Sequence, residues 1–117
     1  MEIEKAWGKE RVLVNEPEYC AKVLVLRKGG GSSWHRHPRK KETFLCLRGL
    51  VRLKVEALAE VEASAEIMVP DAPGITIHPG EWHQFHGLED SEILEVSTHD
   101  DPQDCERRTR SYGPGGD

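Results

Sequence analysis

The sequence predicts an all-β fold, either an antiparallel sandwich or a closed barrel. Short runs rich in Val, Ile and Leu recur along most of the chain, Gly and Pro separate them, and no helical stretch interrupts them. Short strands at close spacing, with turn residues between them, are typical of both antiparallel architectures. The predicted strands span residues 11–15, 20–27, 43–48, 50–57, 60–69, 75–78, 83–86 and 91–98.

The strands differ in how clearly the sequence defines them. Residues 51–56 alternate apolar and polar side chains, which is the pattern of a strand with one buried face. Gly49 lies between this run and the one before it and suits a tight hairpin turn, because glycine accepts a positive φ without steric cost. Residues 57–66 are the weakest case, since their Ala and Glu content would also suit a helix. Val61 and the strands on both sides favour an extended segment there.

Length and charge limit the class of protein. The chain of 117 residues leaves room for a single domain over 1–117, with a core at about 20–98. An N-terminal strand region, 1–19, precedes this core, and a polar segment, 99–117, follows it with a Gly-rich tip that we expect to be frayed. A net charge of −5 argues against a nucleic-acid or anionic-membrane surface. Without a signal-like N-terminus or an apolar run of about 20 residues, the cytoplasm is the expected compartment.

Three histidines and one glutamate form the strongest functional signal. His35 and His37 are two residues apart, so on a strand their side chains project from the same face. Pro38 ends that strand, and a short turn returns the chain to Glu42 at the start of the next one. His83 leads another strand after a turn signal of Pro and Gly. The pattern predicts a metal site formed by His35, His37, Glu42 and His83.

The types of ligand atom restrict which metal ions the predicted site can bind. Three nitrogens and one carboxylate suit Fe(II), Mn(II), Co(II), Ni(II) or Zn(II), and we expect one such divalent ion per chain. Four ligands leave one or two positions open on a five- or six-coordinate ion, as in catalytic rather than structural sites. The three cysteines are widely spaced, so they predict neither a disulfide framework nor a thiolate metal site.

These residues resemble the two sequence motifs of the cupin family. The matching positions are Gly29, His35, His37, Glu42 and Gly49 in the first motif, and Gly80 and His83 in the second. The second motif departs from the family pattern at His78, where proline is usual, and at Gly87, where asparagine is usual. The resemblance covers roughly residues 23–98. It implies a double-stranded β-helix, the jelly-roll barrel of the cupins.

A narrower resemblance extends to the type II mannose-6-phosphate isomerase cupins and their small single-domain relatives. It rests on short pieces spread along the chain, at Lys5–Gly8, Lys22, Ser33, Leu94–Thr98, Asp104, Arg107, Tyr112 and Gly113. Those relatives often have Gln where this chain has His35, and Pro where it has Lys28. The resemblance implies a metal-dependent isomerase acting on a sugar or sugar phosphate.

Alternation places further side chains near the predicted metal. If Glu42 points inward, Phe44 and Cys46 follow it on the same face, and Phe85 follows His83 in the same way. Phe44, Cys46 and Phe85 would then form an apolar pocket wall that excludes water from the ion.

A basic cluster stands out in this acidic chain. Arg36, Arg39, Lys40 and Lys41 lie within six residues, on both sides of predicted ligands. Guanidinium groups suit bidentate contacts with phosphate or carboxylate. We therefore take Arg36, Arg39 and Lys40 as candidate contacts for an anionic substrate, with a solvated turn as the alternative. Arg107, Arg108 and Arg110 would play the same role if the C-terminal segment folds over the mouth of the barrel.

Three functions fit these residues. The leading hypothesis is a metal-dependent isomerase or epimerase of a small, possibly anionic sugar, in which the metal polarises a carbonyl and a base moves a proton. Glu95, on the strand after His83, is the candidate catalytic base if its register turns it inward. The alternatives are an Fe(II)-dependent cupin dioxygenase and a non-catalytic cupin that binds a sugar or metabolite.

The outward face of the predicted sheet favours self-association. Leu45 and Leu47 alternate with side chains predicted to face inward, and Leu24 and Leu26 on a neighbouring strand would join them. An apolar face of that size on so small a protein predicts a homodimer.

Overall fold

Two antiparallel sheets of eleven strands make up the computed structural model, which describes residues 1–56 and 63–116. The strands are β1 Glu2–Lys5, β2 Gly8–Asn15, β3 Cys20–Leu26, β4 His35–Arg36, β5 Glu42–Arg48, β6 Val51–Glu56, β7 Ser64–Met68, β8 Ile75–Ile77, β9 Trp82–Gly87, β10 Ser91–Ser97 and β11 Glu106–Arg107. The larger sheet has the order β1-β2-β3-β10-β5-β8, and the smaller one β11-β4-β9-β6-β7. The predicted all-β jelly roll is confirmed. The described residues contain no helix with the length and hydropathy needed to cross a membrane.

The core lies between the two sheets because inward and outward side chains alternate along the strands. In β3 and β5, every second residue is buried, and in β9 the same pattern buries His83 and Phe85. Both sheets contribute to one apolar cluster, whose members are Trp7, Leu24, Leu26, Phe44, Cys46, Val51, Leu53, Met68, Ile77, Phe85 and Ile93. Burial of each large apolar side chain in such a cluster stabilises the fold by about 1.5–3 kcal/mol.

Most predicted strands are present, and some extend further than predicted. The strand predicted at residues 11–15 begins at Gly8 and pairs with β1, which lies outside the predicted strands. The turn predicted at Gly49 is present, with a positive φ of 93°, but it requires a correction: β5 and β6 lie in different sheets, so the turn connects the two sheets and does not close a hairpin. The extended conformation predicted for residues 57–66 is confirmed from Ser64 onward, whereas residues 57–62, with Val61, lie outside the described part of the chain.

The outward face of the larger sheet requires a correction. Leu24 and Leu26 are only 3% and 1% exposed and belong to the core, so they do not join the surface leucines as predicted. Lys22 shares their inward face, which places the intervening Val23 and Val25 outside. The apolar residues on that outward side, here called the outer apolar face, are Val23, Val25, Leu45, Leu47, Leu94 and Val96.

The C-terminal segment packs along the edge of the smaller sheet. β11 adds to β4, and the backbone NH of Arg108 donates to the carbonyl of Trp34. Further along, Tyr112 and Gly31 exchange two backbone hydrogen bonds of 2.9 and 3.0 Å. The polar residues that follow β10 therefore contribute structure beside the predicted metal ligands.

Candidate metal centre

The four predicted ligands come from both sheets and meet inside the barrel. His35 opens β4 and lies directly opposite His83 of β9 in the smaller sheet, while Glu42 opens β5 in the larger one. His37 lies just after β4. The ring centroids of His35 and His83 are 4.2 Å apart. One nitrogen or carboxylate oxygen from each of the four residues lies within 4.8 Å of all the others, so the cluster could hold a metal ion.

Backbone carbonyls fix the same tautomer in all three histidines. Nδ1 of His35 lies 2.8 Å from the carbonyl of Ser33, and Nδ1 of His37 lies 2.8 Å from that of Asp104. Nδ1 of His83 lies 3.0 Å from the carbonyl of Glu81. A carbonyl only accepts hydrogen bonds, so each Nδ1 carries the proton and each Nε2 keeps a free lone pair. This second contact orients a ligating histidine and raises its basicity.

The donor atoms facing the centre lack hydrogen-bond partners within the described residues. They are Nε2 of His83 and Oε1 of Glu42, both of them buried, whereas the buried Oε2 of Glu42 lies 3.1 Å from Nζ of Lys40. Nε2 of His83 lies 2.8 Å from Oε1 of Glu42, but with the proton on Nδ1 this nitrogen has nothing to donate. Two buried lone pairs that face each other are unfavourable unless a cation lies between them. The donor set therefore fits a divalent ion.

Burial keeps His35 and His37 neutral. Burial and the closeness of His83 lower the pKa of His35 to about 3. Burial also lowers the pKa of His37. Burial opposes ionisation of Glu42, but the positive charge of Lys40, 3.1 Å away, favours the ionised form and helps to keep the pKa of that carboxyl low. Neutral imidazoles and an ionised carboxylate are the forms that bind metal, so the site is ready to do so at neutral pH.

A network of charged side chains surrounds the metal-facing carboxylate. Its members, here called the buried charge network, are Glu10, Lys22, Lys40, Glu42, Glu95 and Asp100. Nζ of Lys40 lies 3.2 Å from Oε2 of Glu95 and 2.8 Å from Oδ1 of Asp100. Lys22 connects Asp100 to Glu10, at 2.9 Å from each.

Glu95 faces inward, in the register that its candidate role requires. Its side chain is buried and lines the same cavity as Glu42. Burial and the negative charge of Glu42 raise the pKa of Glu95 to about 7. A carboxyl with such a pKa exchanges protons readily near neutrality.

His35, His37 and Glu42 line a cavity of about 300 Å³. Phe44 and Phe85 also line it, and their rings pack edge to face at 6.3 Å. Cys46 requires a correction: it is buried on the same face of β5, but it lines a second cavity of about 290 Å³ behind Phe44. Cys46 lies two residues further along β5 than Phe44 and does not line the cavity at the candidate metal centre. Alternation predicts which face of a strand a side chain occupies, but not its distance from the metal.

The basic cluster predicted at residues 36–41 does not form one surface. Arg36 pairs with Glu106 and lies over the ring of Trp82, and Arg39 pairs with Asp101. Neither arginine lines the cavity. Lys40 does line it, buried within the charge network rather than on a solvated turn. Lys22 also lines the cavity, although it was not predicted to. It is two residues from both Cys20 and Leu24 on β3, and alternation therefore places it on their inward face.

The chain is similar in sequence to a curated enzyme. That enzyme is a D-lyxose/D-mannose isomerase of Thermosediminibacter oceani, 34% identical to this chain over 113 aligned residues. The match covers 79% of this chain and 62% of the relative, so the chain spans less than two thirds of the protein it resembles. No family model matches the sequence.

Solved structures support the fold. CapF of Staphylococcus aureus superposes with a TM-score of 0.74 at 18% identity, covering 97% of this chain and 34% of CapF. Oxalate decarboxylase of Bacillus subtilis gives 0.76 at 14%, covering 92% of this chain and 29% of its own. KdgF of a Halomonas species gives 0.70 at 14%, with 81% of both chains covered. At these identities the likeness concerns architecture alone, and that architecture is the cupin fold.

Proposed function

We propose that this protein is a metal-dependent aldose–ketose isomerase acting on a small sugar or sugar phosphate. The observation that carries the proposal is the set of unpartnered donor atoms on His83 and Glu42, next to a buried carboxyl with a pKa of about 7. The sugar isomerase among its relatives supports the reaction class. The finer assignment to the type II mannose-6-phosphate isomerase cupins is part of the same proposal.

His35, His37, Glu42 and His83 would hold one divalent transition ion, with Fe, Mn, Co, Ni and Zn as the candidates. When bound, such an ion supplies a Lewis acid that polarises the carbonyl of the open-chain sugar. Three neutral imidazoles and one carboxylate leave a net positive charge on the centre, which favours binding of sugar oxygens beside it.

Glu95 would act as the general base. Aldose–ketose exchange removes a proton from the hydroxyl-bearing carbon and returns one to the neighbouring carbonyl carbon, while the hydroxyl proton passes to the other oxygen. A single carboxylate that takes the first proton and gives it back accounts for the carbon-bound transfer. Lys40, at 3.2 Å from Oε2 of Glu95, favours the ionised form that takes up the proton.

Phe44 and Phe85 would keep water away from the reacting carbons. Both rings are buried and line the cavity with His35, His37 and Glu42, and the Phe44 ring lies 6.0 Å from that of His83. Exclusion of water strengthens the electrostatic contacts within the site. An Fe(II)-dependent dioxygenase or a non-catalytic binding cupin would use the same ligands, and the proton-exchanging carboxyl of Glu95 favours the isomerase over both.

The proposal extends to assembly and compartment. The outer apolar face includes Leu47 and Val96, 48% and 39% exposed, and a second copy of the chain would cover it in a two-fold homodimer. Cys20, Cys46 and Cys105 are free thiols, which supports a reducing compartment such as the cytoplasm.

A parallel assay of three reactions tests the function. Protein loaded separately with each candidate metal is incubated with D-mannose, D-lyxose and mannose 6-phosphate, and ketose formation is measured beside oxygen uptake. We expect ketose from at least one sugar, and none from Glu95→Gln with unchanged metal content. Oxygen uptake without ketose would favour the dioxygenase, and saturable sugar binding with neither product would favour the binding protein.

A further inference from the structure

Arg107 reaches the cavity from the edge of the smaller sheet. In the β11–β4 ladder, Arg107 is directly opposite His35 and Glu106 is directly opposite Arg36. Opposed residues of antiparallel strands project from the same face. Glu106 and Arg36 point outward, where they form a 2.9 Å salt bridge. Arg107 therefore shares the inward face of His35, and it lines the cavity with a solvent-exposed side chain.

Arg107 differs from the other cations that line this cavity. Each of the lysines has a carboxylate partner: Lys5 and Lys22 pair with Glu10, and Lys40 pairs with Asp100. Arg107 has no carboxylate within salt-bridge distance among residues 1–56 and 63–116. It donates from Nη1 to Sγ of Cys105 at 3.2 Å. Sulfur is a weak acceptor, so the guanidinium keeps most of its hydrogen-bonding capacity.

We propose that Arg107 binds an oxyanion of the substrate, a phosphate or a carboxylate carried by the sugar. The inference rests on the proposed function and narrows its substrate to an anionic sugar. A guanidinium pairs with either group through two parallel hydrogen bonds. The position at the mouth, one strand away from His35, allows one molecule to contact Arg107 with its anionic end and the metal centre with its carbonyl end. Arg107 thereby takes the role that the sequence analysis gave to Arg36 and Arg39, and to Arg107 only if the C-terminal segment folds over the mouth of the barrel.

Binding measurements on the metal-loaded protein test this assignment. The probes are inorganic phosphate, D-mannose, mannose 6-phosphate and the uronic acid of mannose, each titrated by calorimetry. The variants are Arg107→Gln, Arg107→Lys and, as a matched control, Arg110→Gln, which changes an exposed arginine of the same segment that does not line the cavity. Metal content is measured for every sample, because phosphate also binds metal ions.

We expect Arg107→Gln to weaken binding of inorganic phosphate and of at least one charged sugar by about tenfold or more, with D-mannose unaffected. The sugar that loses affinity identifies phosphate or carboxylate as the group. Arg107→Lys should keep part of the affinity, and the loss should shrink at 1 M salt, where the Debye length is about 3 Å. Phosphate that binds wild type and Arg107→Gln equally, or binds neither, would overturn the proposal. The phosphate titration gives this answer even if no sugar is isomerised.

Discussion

Lys40 and Glu42 are two residues apart in the sequence, and both side chains are buried at the same point, with Nζ of Lys40 3.1 Å from Oε2 of Glu42. The same ammonium also contacts Glu95 and Asp100. One buried cation thus joins a predicted metal ligand to the proposed catalytic base. Each carboxylate of the group depends on Lys40 for compensation of its charge, because burial removes most of the water that would otherwise solvate it.

Substitution of Lys40 tests how much the buried charge network contributes to the free energy of unfolding. Lys40→Met should lower the free energy of unfolding of the metal-free protein by about 3–5 kcal/mol, since it leaves buried carboxylates facing one another. Urea titration measures the change. Lys41→Met, in the exposed neighbouring residue, should stay within about 0.5 kcal/mol of wild type. Addition of Glu95→Gln should restore part of the loss, because it removes one of the uncompensated charges. Equal stability of the two lysine variants would show that the network contributes nothing.

Metal binding should follow the four ligands and no other histidine. Wild type should carry about one divalent ion per chain, and loading with an ion at about 1,000 times its Kd should add about 4 kcal/mol of stability. His37→Ala and Glu42→Ala should lose both the ion and the rise in Tm. His78→Ala, in an exposed turn, is the control and should retain both. Full metal occupancy in His37→Ala, measured by mass spectrometry of the metal, would refute the assignment.

Glu95 should give the reaction a pH dependence. The base acts when ionised, so kcat/KM should rise with pH and level off above about 7, the raised pKa of Glu95. A bound divalent cation lowers this pKa and moves the rise toward lower pH. Glu95→Gln should abolish the activity, whereas Glu92→Gln, half-buried on the opposite face of β10, should keep the profile.

The raised pKa of Glu95 also makes the stability of the folded protein depend on pH, in a direction that can be stated. The pKa of Glu95 is higher in the folded protein than the ordinary value of 4.5, so the unfolded chain releases this proton first. The contribution of Glu95 to folding is therefore complete below pH 4.5 and is lost as the pH rises through about 7. In Glu95→Gln this part of the pH dependence should disappear from the unfolding curves of the metal-free protein.

The outer apolar face predicts the oligomeric state. Wild type should be a dimer at micromolar concentration, as measured by light scattering. Leu47→Glu combined with Val96→Glu should give monomers, because the two charges would be buried without partners in the interface. Ile67→Glu is the matched control, since Ile67 is 52% exposed on β7 of the other sheet. A monomeric wild type, or a dimer that survives the double substitution, would contradict the prediction.

Local pattern predicted most of the strands, though neither β1 nor β11, and it identified the four residues that could hold a metal ion. Two-residue periodicity fixes which side chains of a strand share a face, and this brings His35, Glu42 and His83 to one point once the barrel closes. The same rule gave the wrong face for Leu24 and Leu26. Both share the inward face of β3 with Lys22, and polarity alone would place a face that contains a lysine on the outside of the barrel. Polarity also gives no sign that Lys40 is buried beside exposed neighbours.

Contacts between distant parts of the chain could not be predicted from pattern. The carbonyl that fixes the tautomer of His37 belongs to Asp104, and the strand that places Arg107 opposite His35 is only two residues long. A two-residue strand has no periodicity of its own, so its register follows from tertiary packing. The sequence predicted only a polar segment with a frayed tip at 99–117, whereas the backbone of this segment adds to the sheet edge beside the predicted metal ligands.

The distance between His37 and Asp104 has a consequence for biosynthesis. During translation, His35, His37 and Glu42 join the chain well before His83. Asp104 joins it later still, 67 residues after His37. While Asp104 is still missing from the nascent chain, the imidazole of His37 can place its proton on either nitrogen, and β4 lacks its neighbour on one side. Any metal ion that the nascent histidines meet earlier therefore encounters an incomplete set of donors, and we expect the complete site to form only once the C-terminal segment has joined the barrel.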